Sequence, residues 1–264
     1  MAVATKSNHV HPTAVVSPRA RIGQGCFIGP YSIVGEGVEL HDDVRLESHC
    51  VIDGLTVIGQ GTRVFPFVSI GLPAQDLKYQ GEPSETRIGR RNMIREFVTI
   101  HRGTAGGGML TQVGDDCLIM AQAHIAHDCI IGDGVIMANA ATLAGHVIIE
   151  DNANVGAYSG VHQFCRVGRE AYVGGYSVVV KDALPFALTV GNHARCYGLN
   201  TTGMKRRGYS REVIGALHRA FHLLLSSKLN TSQALEKIKE ETSESAEVDL
   251  LVEFIQSSSR GVIK

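Results

Sequence analysis

Tryptophan is absent from this 264-residue chain, aromatic residues reach only 6%, and neither sign of charge dominates, the formal net value being −1 at pH 7. A chain so poor in aromatics must build its core from aliphatic side chains. Without a global field, general attraction to nucleic acid or to an anionic membrane is excluded, and any basic site must be local. No run of about 18 apolar residues is present to span a bilayer, and the first twenty residues lack the apolar stretch of a secretory signal. The chain therefore reads as soluble and cytoplasmic. Its six cysteines include no CxxC pair. Together with the missing signal, this argues against a disulfide framework.

What the chain has in abundance is aliphatic residues and glycine, 30 of the latter. The aliphatic residues recur at every sixth position from Val10 through Val16, Ile22, Ile28, Val34, Leu40, Leu46, Ile52, Ile58 and Val64 to Ile70. The register resumes over Ile88, Ile94 and Ile100, and again from Val113 through Ile119, Ile125 and Ile131 to Val179. A fixed short period is the mark of a solenoid. Glycine often follows the aliphatic residue, as at Gly29, Gly59 and Gly132, where a tight corner would need it. A small or β-branched residue often sits four positions on, as at Ser32, Thr62, Val135 and Ser177, and would share a narrow interior with the aliphatic one. Cys26, Cys50, Cys117, Cys129 and Cys165 occupy that same slot and read as buried filler. Six residues thus make a strand and a corner, and three such units make a triangular coil of 18.

Two interruptions, at 71–87 (GLPAQDLKYQGEPSETR) and 101–112 (HRGTAGGGMLTQ), must leave the coil as loops, and loops on a rigid scaffold commonly carry function. The repeat ends near residue 190. Ser210 can then cap a helix whose Val213, Ile214, Leu217, Phe221, Leu224 and Leu225 recur at helical spacing, with weaker helical segments beyond. The expected division is a β-coil over 1–190 and a helical subdomain over 191–264.

Clustered histidines stand out against this regular background. His124, His127, His146 and His162 fall within three coils, beside Asp128 and Gln163. Residues 18 apart should stack at roughly 4.7–4.9 Å, which puts His127, Gly145 and Gln163 in one column, with Asp128 and His146 in the next. A base, a carboxylate and an approachable backbone amide suit acyl transfer to a hydroxyl. His124-x-x-His127 with Cys129 also contains ligand types that zinc uses. The gamma-type carbonic anhydrases are zinc enzymes on a related coil, although their histidines are more widely spaced. A noncatalytic scaffold would show regular exposed ladders and no long loops. Farther on, GMKRRGYSRE gathers Lys205, Arg206, Arg207 and Arg211, either a phosphate site or a solvated basic cap.

The hexapeptide pattern resembles left-handed parallel β-helices. The segments HPTAVV, QDLKYQGEP, IREFVTIHRGT, AHIAHDC, ATLAGHV, VHQFC, GNHA, GMKRRG and SRGVIK, spread over nearly the whole chain, resemble the UDP-N-acetylglucosamine O-acyltransferases. These move a 3-hydroxyacyl chain from acyl carrier protein to the sugar 3-hydroxyl, at the start of lipid A synthesis. The resemblance implies that His127 is the general base, that Asp128 assists it, and that the Gly145 amide binds the thioester oxyanion. It places Gln75, Asp76, Lys78, His124, His146, His162 and Gln163 near the sugar and acyl groups, Asn200, Arg206 and Arg207 at the nucleotide diphosphate, and counts His193 of the GNHA segment among the substrate-binding residues. Gly175 would mark the far end of the acyl groove, where glycine leaves room for a long chain. The family implies no metal and a homotrimer with sites between neighbouring subunits. One departure is plain: where the family often reads NxEG, this chain has Asn200-Thr201-Thr202-Gly203 and lacks the carboxylate. A coil enzyme using acyl-CoA on another acceptor is the nearest alternative.

Overall fold

The computed structural model describes residues 6–241 and 245–264. The six-residue period becomes a left-handed parallel β-helix of very short strands. Among the described residues its strands form three faces: eleven strands on the first, from His9–Val10 to Arg195–Leu199, nine on the second and eight on the third. Pairing follows the 18-residue coil, with His9 against Phe27, Val15 against Ile33 and Arg21 against Glu39. Each strand residue thereby meets its equivalent one coil away. The aliphatic positions stack inward, so Ile28, Ile52, Ile100, Ile125 and Ile131 are fully buried, and Ser32, Thr62 and Ser177 fill the slots between them. Val10, the first of the series, is 46% exposed because no coil lies beneath it. The five cysteines of the repeat are buried. Burial pushes the thiols of Cys50, Cys117 and Cys129 up to about 12, which keeps them protonated and unreactive at neutral pH.

The glycines after the aliphatic positions serve a purpose other than the expected one. Corners do carry left-handed backbone, but at the third residue after the aliphatic one, where Tyr31, Asp43, His49, Asp128 and His146 have φ near +60°. Gly29 and Gly132 are needed instead because successive coils approach so closely. A Cβ on Gly29 would lie 2.8 Å from the backbone carbonyl of Glu47 on the next coil.

Both interruptions are shorter than the broken register suggests, because strand pairing extends into them. Ser69–Leu72 and Glu85–Ile88 bracket the first loop, and Thr99–His101 and Leu110–Val113 bracket the second. Across the first loop Arg63 pairs with Met93, and across the second Met93 pairs with Leu118, so the coil resumes in phase. Beyond Val179 an antiparallel pair, Ala187–Val190 with Arg195–Leu199, ends the first face. Among the described residues four helices follow: α1 (Thr201–Arg206), α2 (Arg211–Leu225), α3 (Thr231–Glu241) and α4 (Ala246–Gln256). Ser210 caps α2 as expected, accepting from the Val213 N–H. The helix α1 is not foreshadowed by hydrophobic spacing. The helices share a second apolar core built on Leu184 and Phe186 of the coil end. The terminal SRGVIK segment returns to that end, where Ile263 N–H donates to Asp182 O and Asp182 N–H to Gly261 O. This covers the last coil's open edge, as solenoids require. No helix among the described residues is long and apolar enough to cross a membrane.

Gly29→Ala should therefore destabilise the folded chain by about 1–3 kcal/mol, because rigid backbone has to move. Urea melts of both proteins would check this, and an unchanged midpoint would mean that the coils can separate freely.

Candidate active site

His127 and Asp128 occupy the corner that leaves the second face after His124–Ile125. Asp128 adopts the left-handed conformation, so its side chain turns back beside His127. The coil period then sets Gly145 over His127 and His146 over Asp128, with His146 N–H donating to His127 O at 3.1 Å. Phe164 N–H donates to Gly145 O at 3.3 Å, so Gln163 and Phe164 complete the two columns.

Within this corner the His127 imidazole donates from Nδ1 to Asp128 Oδ2 at 2.8 Å. Asp128, 4% exposed, also accepts from the Thr104 N–H at 2.8 Å and from the Thr104 hydroxyl at 2.6 Å. Such a carboxylate is held in one orientation and selects the imidazole tautomer with its proton on Nδ1, leaving Nε2 as an acceptor. The side chain of His127 is only 12% exposed. Gly145 lies against it: a Cβ there would be 2.5 Å from His127 Cε1 and 2.7 Å from Nε2, so only glycine fits. The Gly145 N–H is buried and has no acceptor among the described residues. A buried amide without a partner next to a base is ready to bind a developing oxyanion.

Both loops come to this corner. The second supplies Thr104, and its Gly107 lies so close to the Asp128 carboxylate that no side chain could be accommodated. Thr111 accepts nothing from that carboxylate but takes the Asp128 N–H on its hydroxyl. These contacts were not read from the sequence, although the GGG of 106–108 inside an interruption was a signal for close approach. From the first loop, Asp76 is near enough for its charge to act on His146, and its carboxylate accepts the Lys78 N–H. Gln75 and Lys78 are exposed on the same loop.

The remaining histidines differ in setting. His146 stacks on Phe164 at 4.4 Å and stands edge-on to His127. Burial lowers its pKa, the nearby Asp128 opposing. His124 projects from the second face to Thr99 Oγ1 at 2.7 Å, and burial lowers its pKa too. His162 and Gln163 are exposed at the upper end of the columns. His193 is exposed in the turn of the antiparallel pair, away from the corner. The zinc set suggested by His124, His127 and Cys129 does not converge, since the Cys129 thiol points inward at Ala144 O. Among the described residues His127, Asp128 and His146 do bring donor atoms within 4.8 Å of one another. There, however, the carboxylate already accepts three hydrogen bonds.

Asn200, Arg206 and Arg207 lie elsewhere. With Ile136, Asn154, Tyr172 and Leu188 of the first face they line a cavity of about 550 Å³. The His127 corner joins the second and third faces, so one chain presents the two groups on different sides of its coil. Gly175 stacks on Ala157, and its φ is not left-handed. Its φ therefore does not demand glycine, although a Cβ there would meet Ala157 O at a tight 3.3 Å, which calls for a shift of a few tenths of an ångström.

Residues 182–263 match the family described as Udp N-acetylglucosamine O-acyltransferase, domain 2, and bacterial transferase hexapeptide repeats match at 19–54 and 110–145. A curated acyl-[acyl-carrier-protein]–UDP-N-acetylglucosamine O-acyltransferase of Thermodesulfovibrio yellowstonii is 48% identical over 97% of this chain and 100% of its own. The chain belongs to the UDP-N-acetylglucosamine O-acyltransferase family. Solved structures of this family superimpose closely. That from Acinetobacter baumannii has a TM-score of 0.94 at 41% identity, covering 97% of this chain and 99% of its own. That from Bacteroides fragilis gives 0.95 at 40%, covering 97% and 100%. The Arabidopsis acyltransferase gives 0.86 at 33%, again covering 97% and 100%.

His101, 6% exposed and with Nδ1 unpartnered among the described residues, lies edge-on to His124, and burial lowers its pKa to about 4. Above its ordinary value of 6.5 neither folded nor unfolded chain protonates it. Between 6.5 and about 4 the unfolded chain takes up the proton and the folded one does not, so stability falls as pH drops through that window. In His101→Asn that part of the slope should disappear, as urea melts between pH 7 and 4 would record.

Proposed function

We propose that this chain transfers a 3-hydroxyacyl group from acyl carrier protein to the 3-hydroxyl of UDP-N-acetylglucosamine, the first step of lipid A synthesis, with His127 as general base. The observation that carries this reading is the buried His127–Asp128 pair set against the unpartnered Gly145 amide, in a chain of this family. Nε2 of His127 takes the proton of the sugar hydroxyl as its oxygen attacks the thioester carbonyl. The negative charge moves to the carbonyl oxygen, where the Gly145 N–H stabilises it. Collapse re-forms the carbonyl, expels the carrier thiolate and leaves the ester on the sugar. The imidazolium then gives its proton to the thiolate. Asp128 stabilises the transient cation without itself taking the proton.

Gln75, Asp76 and Lys78 of the first loop, with His124, His146, His162 and Gln163, would surround the sugar and acyl groups; His193 would meet the substrate from the antiparallel turn. Asn200, Arg206 and Arg207 would hold the diphosphate, guanidinium groups being suited to phosphate oxygens. Because one chain presents these residues on different sides, a complete site is best supplied by neighbouring copies, in keeping with a homotrimer. No metal enters this scheme, and a donor carried on acyl carrier protein assigns the reaction to the cytoplasm.

With UDP-N-acetylglucosamine and a panel of hydroxyacyl carrier proteins, mass spectrometry should detect the acylated UDP-sugar. Replacing the carriers by acyl-CoA should give little product. His127→Ala should fold and lose about 10²–10⁴-fold in turnover; turnover near that of the parent would remove His127 from the role of base.

Gly175 sets the second expectation. A methionine there would block a groove in which each buried methylene contributes roughly 0.8 kcal/mol. Gly175→Met should favour shorter donors while sparing the chemistry at His127. An unchanged ratio of kcat/KM for long and short donors in the folded variant would show that Gly175 does not set length.

A further inference from the structure

The cavity on the first face contains a basic pair, and its two arginines are held very differently. Arg206 is exposed, and its guanidinium makes no bond to the protein among the described residues. Arg207 is fixed from behind: its Nε lies 2.8 Å from Glu170 Oε2 in an ion pair, and its NH1 donates to Asn152 Oδ1 at 2.8 Å. Only NH2 is left without a protein partner among the described residues. Glu170 is 4% exposed. It occupies a left-handed corner of the coil, stacked one full turn above the corner of Asn152.

The same corner also secures Asn200. Its Nδ2 donates to Glu170 O at 3.1 Å, its backbone N–H donates to Phe186 O at 2.6 Å, and its Oδ1 accepts the Gly203 N–H at the start of α1. Position 170 therefore touches two of the polar residues that line the cavity, Arg207 through an ion pair and Asn200 through a backbone bond. Burying a carboxylate is costly unless it is paired, and Arg207 is the partner that makes it tolerable. Thr202 lines the same cavity without charge.

We propose that Glu170 is a positioning residue for the UDP-sugar: it holds Arg207 so that one edge of the guanidinium faces the cavity. This rests on the reading of the cavity as the diphosphate site. An arginine held in place by a carboxylate behind it loses less rotamer freedom when it binds phosphate, so the gain is in affinity and not in the chemical step.

The test uses the full-length chain and four variants: Glu170→Gln, Arg207→Ala, the two combined, and Arg206→Ala. UDP affinity is read by calorimetry, and kcat and both KM values by steady-state assay. Glu170→Gln conserves shape, and a thermal melt confirms that it folds. Its UDP affinity should weaken roughly tenfold, the loss of one charge-assisted contact. KM for the UDP-sugar should rise in parallel, with kcat and the carrier-protein KM held. In the Arg207→Ala background the same substitution should change UDP affinity less than about twofold, because its route of action is gone.

Three results would overturn the proposal. One is parent-like UDP affinity in Glu170→Gln while Arg206→Ala weakens it. Another is a full effect of Glu170→Gln in the Arg207→Ala background. The third is a fall in kcat with a rise in both KM values, which marks a general structural role. If Arg206→Ala and Arg207→Ala both leave UDP affinity intact, the diphosphate reading itself fails, a result separable from the first three.

Discussion

Parallel hydrogen bonding between successive 18-residue coils is the constraint on which everything else in this molecule depends. At that spacing a side chain meets its own equivalents above and below, so only stacked aliphatic residues and small fillers fit inside. Glycines such as Gly29 are required where backbone meets backbone. Most of the corners that follow adopt a left-handed conformation, even where the residue is not glycine. Asp128, His146, Phe164 and Glu170 all do so, and all four contribute to the sites described. The geometry that builds the scaffold is therefore also the geometry that aims the functional side chains.

The His127–Asp128 pair gains its order from two directions. The coil stacks Gly145 onto His127, and the second loop brings the Thr104 hydroxyl and N–H onto Asp128. With its carboxylate so bound, Asp128 fixes both the tautomer and the tilt of the imidazole. A backbone N–H such as that of Gly145 needs no side-chain ordering to hold its direction. Loss of either neighbour would leave the histidine present but poorly aimed.

The cavity on the first face relies on a different device. There the coil supplies Glu170 and Asn152, and the α1 segment lies across them with Arg206 and Arg207 adjacent in sequence but unequal in freedom. Two neighbouring arginines that look equivalent in a row of letters thus divide into one whose side chain has no partner among the described residues and one fixed from behind. Because this cavity and the His127 corner lie on different sides of one coil, association of copies becomes part of the catalytic question.

The strict six-residue aliphatic period determined the coil, its interior and the columns of residues 18 apart, because that repeat leaves one way to bury the apolar set. It also placed His127 under Gly145 and located both interruptions, while the motif segments pointed to the family. Other features depended on contacts between residues far apart in sequence. The partnership of Thr104 with Asp128, the true reason for the glycines and the existence of α1 follow from close approach, which has no period. So do the inward turn of Cys129, which disperses the zinc set, and the ion pair between Glu170 and Arg207. A periodic pattern records what each residue does relative to its own coil. Only the folded chain decides which loop descends on which corner, and which of two adjacent arginines is held.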